Sequence, residues 1–177
     1  MALKPTIYKA RIDLSDLNRH VYDALNLTLA QHPSETVERM VVRLLAYCLN
    51  ASENLIFCKG LSDADEADLW AKNLNGGIEL WIDVGEPAVD RIKKAARQAK
   101  SVKVYSFNSK SDTWWSQGKA DYSALNAEYV QLPWEQVQAL ASKVNKTMAW
   151  SVTVSENSLY VATEDGEVEL TCTRLTS

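Results

Sequence analysis

The sequence predicts a single domain over residues 1–177 with an α/β fold of the α+β kind, and three observations carry that expectation. Apolar and polar residues alternate near the start and again near the end, as half-buried strands require. Between these ends, runs of helical spacing and short extended runs follow one another in the order helix, three strands, helix, strand. Finally, 177 residues with 46% hydrophobic content suffice to bury one continuous core, so two independent domains are not expected.

Tyr8, Ala10, Ile12 and Leu14 alternate with Lys9, Arg11 and Asp13, and Leu25, Leu27 and Leu29 alternate with Asn26 and Thr28. Two strands joined as an N-terminal β-hairpin are the simplest assembly. After Pro33, Ser34 stands where it can cap a helix whose Val37, Met40, Val41, Leu44, Leu45 and Cys48 recur at helical spacing. Three short runs, 55–59, 67–71 and 77–84, are separated by polar or glycine-containing breaks, the pattern of successive antiparallel strands. Pro87 suits the first turn of a helix carrying Val89, Ile92, Ala96 and Ala99 on one stripe, and 102–107 reads as a strand. A short helical stretch with Trp114 and Trp115, a strand near Tyr129 and a helix started by Pro133 follow. From Thr147 the alternation of Val152 and Val154, Leu159 and Val161, then Val168, Leu170 and Cys172, with a turn at Asp165-Gly166, predicts a C-terminal β-meander on the same domain.

Composition narrows the function. No apolar run approaches the roughly 18–20 residues that cross a bilayer, so no membrane association is expected. The first twelve residues carry Lys4, Lys9 and Arg11 and lack the apolar block of a secretory signal, which makes a cytoplasmic protein the expectation. Three cysteines without C-x-x-C spacing indicate neither a disulfide framework nor a zinc ribbon. With only two histidines, any metal would be a hard cation held by carboxylates, Mg2+ or Mn2+. The six tryptophans are read chiefly as packing groups, with base stacking the lesser alternative.

A net charge of −4 argues against a constitutive nucleic-acid binder, but the charge is segregated. Asp63, Asp65, Glu66, Asp68, Glu79, Asp83, Glu86 and Asp90 stand against the single base Lys72; then Arg91, Lys93, Lys94, Arg97, Lys100 and Lys103 follow without an acid. A metal-dependent phosphodiesterase needs that juxtaposition, carboxylates for the ion and cations for the phosphate backbone, with Arg91, Lys94 and Arg97 as candidate phosphate contacts. A solvated helix whose bases follow its macrodipole would show the same run.

Within 77–84, Ile78, Leu80, Ile82 and Val84 are expected to face the core, leaving Glu79, Trp81 and Asp83 on the other face. Glu79 and Asp83 would lie roughly 13 Å apart, too far to share an ion. Antiparallel pairing would instead bring Asp68 opposite Asp83 at about 5 Å between Cα atoms. Two carboxylates would then face one pocket and repel each other, a cost that a bound cation relieves. The alternative is that Asp68 and Glu66 cap a turn. Glu38, at the edge of the first helix's apolar stripe, could add a third oxygen, with Glu35 and Arg39 pointing further toward solvent.

His32-Pro33-Ser34-Glu35-Thr36-Val37-Glu38-Arg39-Met40, the run from Gly60-Leu61 to Asp68-Leu69-Trp70, and Leu80-Trp81-Ile82-Asp83-Val84-Gly85 with Arg91-Ile92-Lys93-Lys94-Ala95 resemble the YaeQ family. The likeness runs from the Met1-Ala2-Leu3-Lys4 start to the closing meander. It implies a variant PD-(D/E)XK fold, with a restriction-endonuclease-like core (helix, three strands, helix, strand; a mixed sheet flanked by helices), Asp68 as the first acid of that motif and Asp83 as the second. Ala67 stands where the motif has proline, and Gly85 where it has the catalytic lysine, so Lys93 or Lys94 would have to replace that lysine. Helical geometry places Lys93 nearer the apolar stripe and Lys94 opposite. An active protein would hold one Mg2+ or Mn2+ on Glu38, Asp68, Asp83 and the Val84 carbonyl, activate water and cleave phosphodiester bonds. A catalytically inactive nuclease-like domain that binds nucleic acid or a protein partner is the alternative, and the missing lysine favours it.

Overall fold

The computed structural model describes residues 4–176; the Met1-Ala2-Leu3 part of the family resemblance lies outside them. The described residues form a mixed α+β fold of four helices and two mixed sheets, grouped into two compact units.

The first unit is built from β1 (Thr6–Asp16), β2 (Val21–Gln31), α1 (Val37–Leu49), α4 (Trp134–Ala141), β8 (Thr147–Ser155), β9 (Ser158–Thr163) and β10 (Gly166–Thr171). The hairpin β1–β2 and the meander β8–β10 both form, and parallel pairing of β1 with β8, from Lys9↔Thr147 to Asp16↔Val154, fuses them into one sheet of order β10-β9-β8-β1-β2. Alternation buries Ala10, Ile12, Leu14, Leu27, Leu29, Trp150, Val152 and Val154 on one face. Two turns are stitched together reciprocally: Asn18 Nδ2 donates to the Glu156 carbonyl (2.9 Å) and Glu156 N–H donates to Asn18 Oδ1 (2.8 Å).

Entry into α1 differs from expectation. The cap is Thr36, whose Oγ1 accepts the Arg39 N–H at 3.2 Å, while the Ser34 hydroxyl is engaged with His32 Nδ1 at 2.7 Å. Glu35 does not point to solvent. It is 7% exposed and is gripped bidentately by Arg43 (Nε–Oε2 2.8 Å, Nη2–Oε1 2.7 Å), with Arg39 adding a contact at 2.6 Å. Arg43 also donates to the Ala30 carbonyl, and Gln31 Nε2 to the Glu35 carbonyl, so the pair fastens the end of β2 to α1. A carboxylate shielded from water needs such partners, and the arginines one and two turns into the helix supply them.

The second unit contains β3 (Leu55–Phe57), β4 (Leu69–Lys72), β5 (Ile78–Val84), α2 (Val89–Gln98), β6 (Ala99–Ser106), α3 (Ser111–Ser123), β7 (Glu128–Gln131) and β11 (Thr173–Arg174). Its sheet has the order β11-β7-β6-β5-β4-β3, with β3, β4 and β5 antiparallel and β5, β6 and β7 parallel. Both faces of β5 are covered. Ile82 and Val84 are buried, and so are Trp81 and Asp83 on the face expected to be open, because Ile92 and Ala95 of α2 and Tyr122 of α3 pack against Trp81, Val102, Val104 and Tyr129. The expected α2 stripe faces the core, with Ile92 buried and Val89, Ala96 and Ala99 packed partly buried against the same cluster; Ala95 joins it as a second buried position, and Ala99 leaves the helix in extended geometry to begin β6. A strand that receives a parallel neighbour through a crossover helix is covered by that helix, which a period-two pattern cannot reveal.

Glu35→Ala should leave the Arg43 guanidinium buried without its counter-ion and lower unfolding stability by about 3–5 kcal/mol, read as a shift of the urea midpoint at unchanged slope.

Candidate functional site

The site is assembled by residues 58–68, which fold back along the end of β4. Lys59 O accepts the N–H groups of Ser62 and Asp63, Asp63 Oδ1 accepts that of Asp65, and Glu66 Oε1 accepts that of Lys59. Gly60 is required here: a Cβ at this position would lie 2.7 Å from the backbone of Ala67 and Asp68. The fold-back closes with Cys58 N–H on the Asp68 carbonyl at 2.9 Å.

Asp68 thereby continues the β4–β5 ladder. Leu69 pairs with Ile82, and Asp68 N–H donates to Ile82 O at 3.1 Å, which sets Asp68 beside Asp83. Asp68 Oδ2 accepts the Val84 N–H at 2.8 Å, and both acids are buried, 3% and 1% exposed. Opposite them stands Arg91 in the first turn of α2. Its Nε meets Asp83 Oδ2 at 2.8 Å and its Nη2 meets Asp83 Oδ1 at 3.0 Å, a planar two-point grip. The remaining donors reach the carbonyls of Ala64 (3.1 Å) and Glu66 (2.9 Å), so one guanidinium neutralises Asp83 and fastens the 58–68 segment to the helix. Burial pushes the Asp83 carboxyl above its ordinary value; Arg91 opposes the rise, the neighbouring Asp68 charge adds to it, and the Trp81 indole N–H, which closes no well-formed hydrogen bond, pulls weakly downward.

These residues do not fit a divalent ion as they stand. Both Asp83 oxygens face Arg91, one Asp68 oxygen is held by Val84, and no group of three or more His, Cys, Asp or Glu side chains that could hold a metal occurs among the described residues. Glu38 belongs to the first unit, half-exposed in the first turn of α1.

On α2, Lys94 is exposed and pairs with Asp65 at 2.6 Å, so it shares the side of Arg91 that meets the acidic segment. Lys93 and Arg97, one turn apart, are exposed and make no ion pair among the described residues. Gly85 has φ +115°, a conformation that disfavours any side chain, and its N–H donates to Tyr105 O at 2.8 Å. The following turn is tied down: Glu86 Oε2 accepts the N–H groups of Phe107 and Asn108, and the Pro87 carbonyl accepts Trp114 Nε1 (3.0 Å) and the Tyr122 hydroxyl (2.6 Å). The tryptophans pack: Trp81 and Trp150 are buried, Trp70 sits edge-on to Trp81, and Trp114 and Trp115 lie against Tyr122 and Tyr129. Sequence reasoning missed Arg91 as the partner of Asp83 and Gly60 as the hinge of the fold-back; an arginine eight residues after a strand-end acid, across a glycine and a proline, was the available signal.

The model of the YaeQ protein family matches residues 1–172. The chain belongs to the YaeQ family. Its relatives include YaeQ of Escherichia coli (strain K12), 38% identical with 98% of this chain and 97% of that one covered, and YaeQ of Salmonella typhi, 40% identical over the same shares. Crystal structures of YaeQ proteins superpose closely: that from Xanthomonas axonopodis pv. citri has a TM-score of 0.94 at 34% identity, covering 98% of this chain and 99% of the other, and that from Pseudomonas syringae has 0.93 at 36%, covering 98% and 97%.

A buried carboxyl whose folded pKa is raised favours the fold most at low pH, and that contribution is lost as pH rises from the ordinary carboxylate value through the folded one. Arg91→Met removes the opposing cation and raises the Asp83 carboxyl further. The variant should therefore lose more stability than the parent as pH rises, over a window reaching to higher pH, which urea unfolding between pH 4 and pH 8 checks. Gly85→Lys, which writes the motif lysine back in, should cost about 1–3 kcal/mol of stability because of the positive φ.

Proposed function

We propose that this YaeQ chain carries a restriction-endonuclease-like core of the PD-(D/E)XK type that holds nucleic acid without cutting it. The chain order α1, β3, β4, β5, α2, β6 supports this reading, matching the helix, three strands, helix, strand expected of that type, and so does the position of Asp68 and Asp83, the two acids that the resemblance assigns to the motif, at adjacent strand ends. The observation that carries the absence of cleavage is the two-point Arg91–Asp83 pair: an arginine of the chain stands where a catalytic cation would have to sit. Gly85 agrees with it, since its backbone conformation excludes the motif lysine at low cost. With Arg91 spent on Asp83 and Lys94 on Asp65, the cations left for phosphate on α2 are Lys93 and Arg97.

The hydrolytic reading would require Arg91 to leave Asp83 and a third oxygen donor to join the two acids. The two proposals separate in one assay, incubation of labelled DNA and RNA with the protein and Mg2+ or Mn2+. No cleavage is expected, from the parent or from Asp83→Ala. Metal-dependent cleavage abolished by Asp83→Ala would overturn the binding-only reading. In the same buffers Lys93→Ala/Arg97→Ala should weaken binding to a DNA duplex and flatten its dependence on log salt by about 2, close to one per lost phosphate contact.

A further inference from the structure

The outer face of the first unit's sheet is open, and its composition is specific. Across the strands it presents rows set by the register: Thr28, Lys9 and Thr147; Asn26, Arg11 and Ala149; Ala24, Asp13, Ser151 and Ala162; Tyr22, Ser15, Thr153 and Tyr160. Small side chains make most of this surface, so the backbone plane is accessible. Two tyrosines stand clear of it, Tyr22 at 61% and Tyr160 at 46% exposure, with only Ser15 and Thr153 between them across three strand spacings of about 4.8 Å each.

At the other end of the face lies a cleft of about 230 Å³ to which Lys9, Arg11, Asn26, Thr28 and Thr147 contribute, and no carboxylate lines it. Lys9 Nζ rests on Thr28 Oγ1 at 3.0 Å, and Arg11 makes no ion pair among the described residues. Two cations among hydroxyl and amide groups suit a phosphodiester anion. Asp13 lies between cleft and tyrosines, where it repels phosphate but accepts a hydrogen bond from a base amino group, and Glu164 Oε1 accepts the Ala149 N–H at 2.7 Å in the row of Arg11. Glu167 and Glu169 stand on β10, three strand positions from β1. Glu169 pairs with Tyr160 and Glu167 with Ala162 across β10 and β9, so the charge keeps the phosphates at the Lys9 and Arg11 end and leaves Tyr160 to meet a base alone.

We infer that this face is a binding site for single-stranded nucleic acid, with backbone phosphate on Lys9 and Arg11 and bases stacked on Tyr22 and Tyr160. A flat sheet with isolated exposed rings matches unstacked bases, whereas a duplex offers it no ring face to stack on. The site concerns the first unit alone and stands apart from the α2 reading.

The test is fluorescence anisotropy with labelled 12-nucleotide oligo-dT and oligo-U and a 12-base-pair duplex, on the full chain. Exposed positions were chosen so that the variants keep the parent's thermal unfolding, which circular dichroism checks. The single strands should bind more tightly than the duplex. Lys9→Gln/Arg11→Gln should weaken oligo-dT binding at least tenfold and reduce the salt slope by about 1.4, two contacts at about 0.7 each. Tyr22→Ala and Tyr160→Ala should each weaken it roughly 5- to 100-fold, the span expected for losing one stacked base. Unchanged affinity in the folded variants, equal affinity for the duplex, or no binding to the single strands overturns the assignment. Displacement of oligo-dT by poly-glutamate as effectively as by unlabelled oligo-dT also overturns it, pointing to an acidic protein partner. Lys93→Ala/Arg97→Ala is the control: if only it weakens binding, the sheet assignment fails and the α2 reading survives, and the converse result does the reverse.

Discussion

A carboxylate at the end of β5 has been taken out of water, and the second unit is organised around meeting its charge. Asp83 is 1% exposed beside a second buried acid, so it needs either a metal ion or a fixed cation of the chain, and the chain provides Arg91. The cost of leaving either partner alone couples the β5 end, the first turn of α2 and the 58–68 segment into one arrangement. Tight turns follow from it: Gly60 lets the segment lie on its own backbone, and Gly85 turns the chain from β5 toward the helix.

The first unit repeats the device with other elements. Glu35, at the end of the link from β2, is gripped at two points by Arg43, eight residues later, the same separation that joins Asp83 to Arg91. In both cases the acid precedes a helix and the arginine lies on that helix, so the guanidinium reaches back over the turn and uses its spare N–H groups on loop or strand carbonyls. The rigid fork of arginine satisfies two carboxylate oxygens and a carbonyl at once, which the point charge of lysine does not. The lysines of α2 accordingly stand at the surface.

This partition of cations bears on function. An arginine committed to a buried acid is structural, and exposed bases without partners are available to an outside anion. Exposed bases that form no ion pair among the described residues include Lys93 and Arg97 on α2 and Lys9 and Arg11 on the open sheet face. A chain with net charge −4 can still present local positive surface because several of its acids are spent on buried pairs, as Asp16, Glu35 and Asp83 are, or stand together on the 58–68 segment.

Local pattern determined most of the element order. Alternation marked both arms of the opening hairpin and the closing meander, because these strands present one buried and one solvated face, and helical spacing marked α1, although that helix is enclosed on all sides with Met40 to Ala46 buried in succession. Asp68 and Asp83 were visible for the same reason, as acids in neighbouring extended runs. Three things were decided only by tertiary structure. Parallel pairing of β1 with β8 joins segments more than 130 residues apart, a choice that no local period encodes. The crossover through α2 covers the face of β5 that carries Trp81 and Asp83, turning an expected open pocket into core. The partner of Asp83 is fixed by how the turn at Gly85 aims the helix, since a charge records its sign in the sequence but finds its counter-ion only in space.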